Sequence, residues 1–276
     1  MRIALYQART GIDPEANAAD LVRAVNEAAD GGASMLFTPE MSGLLDQNRA
    51  RAKAHLTDEA KDPVLAAVRR AAAERGIWVH IGSLALAGER NDGRLVNRAF
   101  LIDGSGEVRA RYDKMHLFDV DLPTGESWRE SAAYAPGEQP VVAQTPVGRL
   151  GISICYDLRF PDLYRALTGA GATILAVPAA FTVPTGEAHW HILLRARAIE
   201  AGVFVVAAAQ CGTHQDGRQT YGHSLVVDPW GGLLLDMGTE PGVGFADVDP
   251  AQVEDVRRRL PAISHRRLIG EPRLEP

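Results

Sequence analysis

The stretch Leu150-Gly151-Ile152-Ser153-Ile154-Cys155 has the pattern of a short buried strand that ends at a thiol. A helix is predicted over Pro161–Gly169, because proline is favoured at the first position of a helix, and the apolar run Thr173–Val177 predicts a second strand. A strand, a helix and a strand in this order are typical of a βαβ unit in a helix-covered sheet. This segment therefore indicates an α/β fold with a reactive side chain where a strand ends.

The same alternation extends from this unit in both directions along the chain. Further strands are predicted at Arg2–Gln7, Met35–Thr38, Ile77–Gly82, Asn97–Asp103, Glu107–Asp113, Val203–Ala209, His223–Asp228, Leu233–Met237 and Gly244–Val248, and further helices from Asp13-Pro14 to about Asp30 and at Asp62–Arg75, Glu187–Ala201 and Ala251–Leu260. This mixture of βαβ units and hairpins implies two sheets, or one mixed sheet, covered by helices. No low-complexity linker divides the chain, so residues 1–276 are predicted to form one domain. The irregular stretch His116–Pro140 exceeds the usual loop length and is predicted to belong to a functional site.

The composition is that of an ordinary globular chain with an acidic balance. Of the 276 residues, 46% are hydrophobic, and 29 basic against 35 acidic residues give a formal net charge of −6. Without a basic stripe, nucleic acid is not expected as a partner. No stretch approaches the roughly 18 apolar residues of a membrane span, and the first apolar run is too short for a signal peptide. With Cys155 and Cys211 as the two cysteines, we expect free thiols and a cytoplasmic location.

Three candidate reactive side chains each follow a predicted strand. Glu40 comes after Met35–Thr38, Lys114 after Glu107–Asp113, and Cys155 after Leu150–Ile154. Groups at the ends of strands in α/β sheets converge on the crevice where ligands bind. Taken singly, each has a simpler interpretation, as a solvated glutamate, a solvated lysine or an inert buried thiol. The surrounding sequence decides between the two interpretations.

That surrounding sequence resembles the nitrilase superfamily of carbon–nitrogen hydrolases. The matching segments, in the family's order, are Phe37-Thr38-Pro39-Glu40, Tyr112-Asp113-Lys114-Met115-His116-Leu117-Phe118, Cys155-Tyr156-Asp157-Leu158-Arg159-Phe160-Pro161, Pro178-Ala179-Ala180-Phe181-Thr182, Arg195-Ala196-Arg197-Ala198-Ile199-Glu200, Tyr221-Gly222-His223-Ser224 and Asp228-Pro229-Trp230-Gly231. The resemblance covers nearly the whole chain. It implies an α-β-β-α sandwich, which agrees with the two-sheet prediction, and an enzyme without a cofactor.

By this resemblance Cys155 is the nucleophile, Glu40 the proton-transfer group and Lys114 the oxyanion donor. The chemistry needs these residue types, because a thiol near its ordinary pKa of about 8.5 is only a few per cent thiolate at neutral pH. A carboxylate within reach can accept the thiol proton, protonate the leaving group and later activate water. The backbone N–H of Tyr156 is the second expected donor to the oxyanion.

Four more residues match positions of the family's site. Glu130 matches a second glutamate near the lysine, which would keep Lys114 charged and oriented, although a solvated loop glutamate is the alternative. Arg159 aligns with an arginine that binds the substrate carboxylate in ω-amidases, and the alternative is a structural pair with Asp162. Phe181 and Thr185 align with further substrate-binding positions.

Within the superfamily the resemblance is closest to the Nit branch, whose members look like amidases for deaminated glutathione. The stretches that favour this branch are 181–190, 207–212 and 221–231. The products would be 2-oxoglutarate and Cys-Gly, formed through a cysteinyl thioester. The alternatives are an ω-amidase for 2-oxoglutaramate or 2-oxosuccinamate, a nitrilase or other small-amide hydrolase, and a catalytically silent binding subunit. Homodimers or higher homo-oligomers are expected, with residues 261–276 as a C-terminal arm across the dimer.

Other chemistry-bearing residues give no site. Residues two apart on a helix do not share a face, so His189 and His191 are not expected to bind a metal together. The chain has no Cys-x-x-Cys and no His-Glu-x-x-His sequence, and no metal is predicted. Ser153 lacks the second glycine of a serine-hydrolase elbow. Cys211 is predicted to be a packed thiol at the end of a strand.

Overall fold

The computed structural model of the chain describes residues 1–87, 92–121, 125 and 127–275. Its helices are α1 Pro14–Asp30, α2 Arg49–Lys53, α3 Pro63–Arg75, α4 Pro161–Gly169, α5 Val183–Thr185, α6 His191–Ala201 and α7 Ala251–Arg259, with 3₁₀ turns at Glu59–Lys61, Glu130–Ala132 and Cys155–Arg159 and a π-helical turn at Gly186–Trp190. Its strands are β1 Arg2–Gln7, β2 Met35–Phe37, β3 Trp78–Ala87, β4 Leu95–Ile102, β5 Val108–Asp113, β6 Asp119–Asp121, β7 Ser127–Arg129, β8 Val141–Thr145, β9 Gly148–Ile152, β10 Ile174–Ala176, β11 Phe204–Ala207, β12 Cys211–Thr213, β13 Gln219–Tyr221, β14 Leu225–Val227, β15 Leu233–Asp236 and β16 Gly242–Asp247. Residues 122–124 and 126 of the predicted irregular stretch, and residue 276 of the predicted arm, lie outside the described residues.

Two six-stranded sheets of the same layout organise the described residues. The first has the order β16-β1-β2-β3-β4-β5 and the second the order β15-β14-β11-β10-β9-β8. Three adjacent strands of each sheet run parallel, β1, β2 and β3 in one and β9, β10 and β11 in the other, and all the other neighbouring strands pair antiparallel. The three parallel strands of each sheet place their carboxyl ends at one edge, where Glu40 follows β2 and Cys155 follows β9, whereas Lys114 follows the edge strand β5.

The period-2 alternation of the inner strands separates two apolar layers. In β1, Ile3 and Leu5 belong to the core that contains the second sheet, whereas Ala4 between them belongs to the core under α1 and α3. In β2, Met35 and Phe37 face the core that contains the second sheet, and Leu36 faces the core under α1 and α3. Helices α4 and α6 cover the second sheet, and their buried apolar residues belong to the same core as that sheet. The fold is the α-β-β-α sandwich that the resemblance implied.

Several element boundaries differ from the predictions. β3 continues to Ala87 past a bulge, because burial against neighbouring strands sustains a stretch whose Leu and Ala residues favour strands only weakly. β8 was not predicted, and helical backbone begins at Val183, four residues before the predicted helix Glu187–Ala201. The strand predicted at Leu150–Ile154 lies two residues earlier, at Gly148–Ile152. Local pattern places an element better than its ends, because tertiary contacts set the ends.

The close approach of two segments at Gly82 positions the end of β2. A Cβ atom on Gly82 would lie 2.2 Å from the Thr38 carbonyl oxygen and 2.4 Å from Pro178. No side chain fits in that space, so only glycine allows the Thr38–Glu40 turn to pack against β3. The position of Glu40 therefore depends on a glycine far from it in sequence.

The chain end after α7 lies along α4. The Arg266 guanidinium donates to the Arg165 carbonyl at 3.1 Å and to the Thr168 hydroxyl at 3.0 Å. Leu268, Ile269 and Leu274 beyond it are 99%, 86% and 97% exposed. None of the helices in the described ranges is long and apolar enough to cross a membrane.

Candidate active site

The three predicted reactive residues meet where β2, β5 and β9 end. Cys155 leaves β9 with a φ of 50°, an unusual value for a residue that is not glycine, and begins a 3₁₀ turn. The Cys155 N–H donates to the Pro178 carbonyl at 2.8 Å, which anchors this sharp turn. Residues held in sparsely populated backbone regions are concentrated at functional sites. The turn aims the thiol away from the strand and toward Glu40.

Lys114 lies between two glutamates. Its ammonium is 2.8 Å from Glu40 Oε1 and 3.1 and 2.9 Å from the two oxygens of Glu130, and the side chain is 2% exposed. Burial disfavours the charge, but Glu130 and Glu40 more than compensate and raise the pKa of Lys114 well above its ordinary value. Lys114 is therefore a permanent buried cation beside the thiol.

Glu40 is buried and fully engaged by hydrogen-bond donors. Oε2 accepts from the Ala180 N–H at 3.0 Å, and Oε1 accepts from Asn97 Nδ2 at 3.0 Å as well as from Lys114. Burial opposes ionisation of Glu40, but the Lys114 charge and hydrogen bonds from Cys155, Lys114 and Asn97 outweigh it, so the pKa is lowered from 4.5. Glu40 is thus a carboxylate at neutral pH, placed as the thiol's hydrogen-bond acceptor.

The Cys155 thiol is 8% exposed and protonated in the resting site. Burial and the Glu40 charge raise its pKa well above the ordinary value, and Lys114 opposes them only in part. The resting site therefore does not contain a preformed thiolate. For sulfur to act as a nucleophile here, a base must accept the thiol proton, and Glu40 is a carboxylate in hydrogen-bond contact with the thiol.

Glu130 lies in the irregular stretch His116–Pro140, which was predicted to belong to a functional site. The β6–β7 hairpin and the 3₁₀ turn after it bring Glu130 to Lys114, and Glu130 Oε2 also accepts from the Phe118 N–H at 2.6 Å. The alternative of a solvated loop glutamate does not fit, since the side chain is 11% exposed. Glu130 instead holds both the ammonium and the backbone that follows it.

Two polar residues of the site were missed from sequence. Asn97 in β4 donates to Glu40 at 3.0 Å and to Glu130 at 3.1 Å, bridging the two carboxylates. Asp157, with no exposed surface, accepts from the Ile154 N–H at 2.9 Å and the His116 N–H at 3.1 Å. Asn97 is a polar residue in a predicted buried strand, and this could have identified it as a candidate site residue. Asp157 lies within the family segment that begins at Cys155.

The expected oxyanion donors face the same space. In the described structure the Tyr156 N–H forms no hydrogen bond, and the N–H of the next residue, Asp157, closes the turn to the Ile154 carbonyl at 3.0 Å. The Lys114 ammonium supplies the charged donor. A charged donor and a backbone donor from separate segments thus line the same cavity, where both can meet an oxygen of a bound carbonyl group.

A cavity of about 650 Å³ opens above the thiol. This volume is in the range of small-molecule sites, roughly 300–1,000 Å³. Its lining includes all the predicted site residues, Glu40, Lys114, Glu130, Cys155, Tyr156, Arg159, Phe181 and Thr185. The structure therefore brings the catalytic and substrate-binding candidates together in one place.

Arg159 faces this cavity and does not pair with Asp162 in the described structure. Its guanidinium nitrogens lie 3.4 Å from His189 Nδ1 and its carbon 5.5 Å from the centre of the Phe181 ring. The Thr185 hydroxyl is 2.8 Å from that of Thr182. The structural pair considered from sequence is absent, and a cationic group remains available to a ligand.

A histidine cluster that could hold a metal lies outside this lining. His191 Nε2 is 3.0 Å and His223 Nδ1 2.9 Å from the Asp236 carboxylate, and the three candidate ligand atoms lie within 4.8 Å of one another. His189 contacts Arg159 instead, so the two histidines of the sequence pair have separate partners. The contacts of the cluster are accounted for by hydrogen bonds to Asp236, and they give no reason to place an ion there.

Cys211 is buried at the start of β12 and free of any disulfide. Burial raises its pKa to about 11, so it is an unreactive thiol at neutral pH. The prediction of a packed thiol is confirmed, but Cys211 begins a strand and does not end one.

Comparison with known proteins agrees with this geometry. A model of the carbon-nitrogen hydrolase family matches residues 2–258. The chain belongs to the carbon–nitrogen hydrolase family. This hydrolase is 40% identical over 278 residues to a protein of Yersinia enterocolitica named deaminated glutathione amidase, covering 99% of the present chain and 96% of that protein.

Other relatives extend the comparison. A human protein of the same name is 40% identical over 96% of the chain and 82% of its own length. The crystal structure of the Caenorhabditis elegans NitFhit protein superimposes with a TM-score of 0.89 at 37% identity. The match covers 96% of this hydrolase and 65% of that longer chain. These findings identify a hydrolase that acts on amides.

Proposed function

We propose that this hydrolase cleaves the amide of deaminated glutathione into 2-oxoglutarate and Cys-Gly. The observation that carries the proposal is the buried Glu40–Lys114–Glu130 cluster beside Cys155, in a cavity where Arg159 has no acidic partner. The relatives named deaminated glutathione amidase support the choice of substrate. Arg159 supplies the planar fork that binds the 2-oxo-acid carboxylate.

In the first half-reaction Cys155 Sγ attacks the amide carbonyl while Glu40 accepts the thiol proton. Lys114 and the Tyr156 N–H stabilise the negative charge that develops on the carbonyl oxygen. Glu40 then gives the proton to the nitrogen of the leaving amine, the carbon–nitrogen bond breaks, and an acyl thioester remains on Cys155. Glu130 keeps the Lys114 ammonium in place throughout, since it contacts that group through both oxygens.

In the second half-reaction water replaces the amine. Glu40 takes a proton from the water as its oxygen attacks the thioester, and returns it to the sulfur as the carbon–sulfur bond breaks. The lowered pKa of Glu40 keeps it ionised when the water arrives. The products are 2-oxoglutarate and the regenerated thiol.

The test is a substrate panel on the purified enzyme: deaminated glutathione, 2-oxoglutaramate, 2-oxosuccinamate and a simple nitrile. We expect the highest kcat/KM on deaminated glutathione. A clear preference for 2-oxoglutaramate or 2-oxosuccinamate would identify an ω-amidase instead, and a preference for the nitrile a nitrilase. No turnover of any of the four would favour a binding subunit.

We further propose a homodimer in the cytoplasm. Leu268, Ile269 and Leu274 in the C-terminal segment are 86–99% exposed, and Ile192 and Trp230 are 70% and 66% exposed; a second copy could cover such apolar side chains. Two free cysteines suit a reducing compartment. Light scattering at micromolar concentration should give twice the mass of one chain. Removal of residues 261–276 should bring the measured mass closer to that of a single truncated chain. A monomer at that concentration would contradict the assembly.

A further inference from the structure

Arg218 reaches the cavity above Cys155 from the tip of the β12–β13 hairpin. Its side chain is 18% exposed, and in the described structure the guanidinium donates no hydrogen bond. The nearest carboxylate oxygen, on Asp216, is 3.8 Å from Nε, beyond hydrogen-bond distance. Burial lowers the pKa of Arg218, although an arginine remains charged at neutral pH. Asp216 supplies a counter charge at that distance, but the buried guanidinium still lacks hydrogen-bond acceptors, and a ligand that supplied them would offset this cost.

Most of the other arginines that line the cavity already have partners. Arg129 forms a pair of 2.8 Å contacts with the Asp121 carboxylate, and Arg94 lies 2.8 Å from Asp92. Arg49 donates to the Arg129 carbonyl at 2.7 Å. Within the described lining, Arg159 and Arg218 are thus the arginines whose guanidinium groups lack an acidic or carbonyl hydrogen-bond partner.

The Trp128 indole fixes the plane of Arg218. The guanidinium carbon lies 4.6 Å from the centre of the ring, a cation–π contact that leaves the edge of the fork free. Trp128 also lines the cavity, and its buried Nε1 has no hydrogen-bond partner. Two unpaired donor groups in contact with each other suit an anion with two acceptor oxygens.

We propose that Arg218 and Trp128 form a second carboxylate subsite, which binds the leaving-group end of the substrate. This inference rests on the proposed function. Deaminated glutathione carries one carboxylate next to its keto group and another at the glycine end of the departing dipeptide. Arg159 is on the same 3₁₀ turn as Cys155 and suits the short acyl arm, whereas Arg218 is on a separate hairpin and suits the longer leaving group.

The test combines two proteins with two ligands. Deaminated glutathione and its glycine-end carboxamide are compared as substrates of the wild type and of Arg218→Met. In the wild type we expect kcat/KM to fall about thirty- to a hundredfold on amidation, the size of a lost charged hydrogen-bonded pair. In Arg218→Met the two ligands should differ by less than about threefold, because the group that distinguishes them is gone.

Two further variants keep the comparison interpretable. Arg218→Lys retains a charge near Asp216 without the planar fork, so we expect an intermediate preference and an unchanged melting temperature. Lys53→Met removes another cation from the cavity lining and should leave the preference for the free carboxylate in place. Calorimetry of both ligands on Cys155→Ala backgrounds measures the same preference without turnover.

The outcomes separate the two proposals. A full preference for the carboxylate in Arg218→Met, or its loss in Lys53→Met, would overturn the assignment to Arg218 while deaminated glutathione remained the substrate. If the wild type neither binds nor cleaves deaminated glutathione but cleaves 2-oxoglutaramate, the proposed function fails and the second subsite fails with it.

Discussion

Asp157→Asn should weaken both the fold and the catalytic site, because the Asp157 carboxylate joins the turn of Cys155 to the segment after Lys114. Oδ1 accepts from the His116 N–H at 3.1 Å and lies 2.7 Å from His116 Nδ1, and Oδ2 accepts from the Tyr112 hydroxyl at 2.7 Å and the Ile154 N–H at 2.9 Å. An asparagine offers only one acceptor oxygen. In either orientation its NH₂ group faces a backbone N–H that cannot turn away.

The magnitude follows from these contacts. One orphaned buried donor costs about 1–3 kcal/mol, and loss of the acceptor's charge weakens the remaining hydrogen bonds by about 1 kcal/mol each. Burying a neutral amide instead of a charge offsets part of this, which leaves about 3 kcal/mol of destabilisation. For a chain of this size that corresponds to a melting temperature lower by roughly 6–12 °C. A displaced oxyanion donor should also reduce kcat by about a hundredfold.

Thermal melts and steady-state kinetics on Asp157→Asn check both effects. Tyr112→Phe is the matched control, since it removes one donor without orphaning a backbone N–H and should cost only about 1–2 kcal/mol. Wild-type stability would refute the hydrogen-bond argument. A lower melting temperature with an unchanged kcat would show that Asp157 supports the fold without positioning the site.

Four further predictions concern the residues of the site. Cys155→Ala should abolish turnover while the protein stays folded, and mass spectrometry of the wild type during turnover should show an acyl adduct. Glu40→Gln and Lys114→Ala should each lower kcat by several orders of magnitude, and combining either with Cys155→Ala should lower it little further. Losses that simply add would mean that the residues act in separate sites. Arg159→Lys should raise KM for a 2-oxo-acid amide by roughly thirty- to a hundredfold with an unchanged melting temperature, and an equal loss on a neutral amide of similar size would exclude the carboxylate contact. Because burial and the Glu40 charge raise the thiol pKa, Glu40→Gln should move the pH midpoint of Cys155 alkylation by iodoacetamide to lower pH even as hydrolysis is lost, and a midpoint that stays in place or rises would contradict this account of the pKa.

The sequence by itself determined the α/β class and the order of most of the elements, and it named the candidate reactive residues that the structure brings together. Strand periodicity and helix-start signals are local, so Arg2–Gln7 and Pro161–Gly169 were predicted with their observed bounds. The segments around Glu40, Lys114 and Cys155 indicated the family without the structure, because the chemistry of the site requires these residue types at particular places in the chain.

Only the tertiary structure decided how those residues act on one another. The charges of Glu40 and Lys114 and the neutral thiol of Cys155 result from burial and from distances of about 3 Å between groups up to 140 residues apart in sequence. Asn97 and Asp157 entered the site through contacts of the same kind, and Arg159 and Arg218 were distinguished from the other arginines of the cavity because they lack an acidic or carbonyl hydrogen-bond partner. Sequence pattern reports local periodicity and residue chemistry, whereas the electrostatics of a buried site depend on which distant side chains the fold brings into contact.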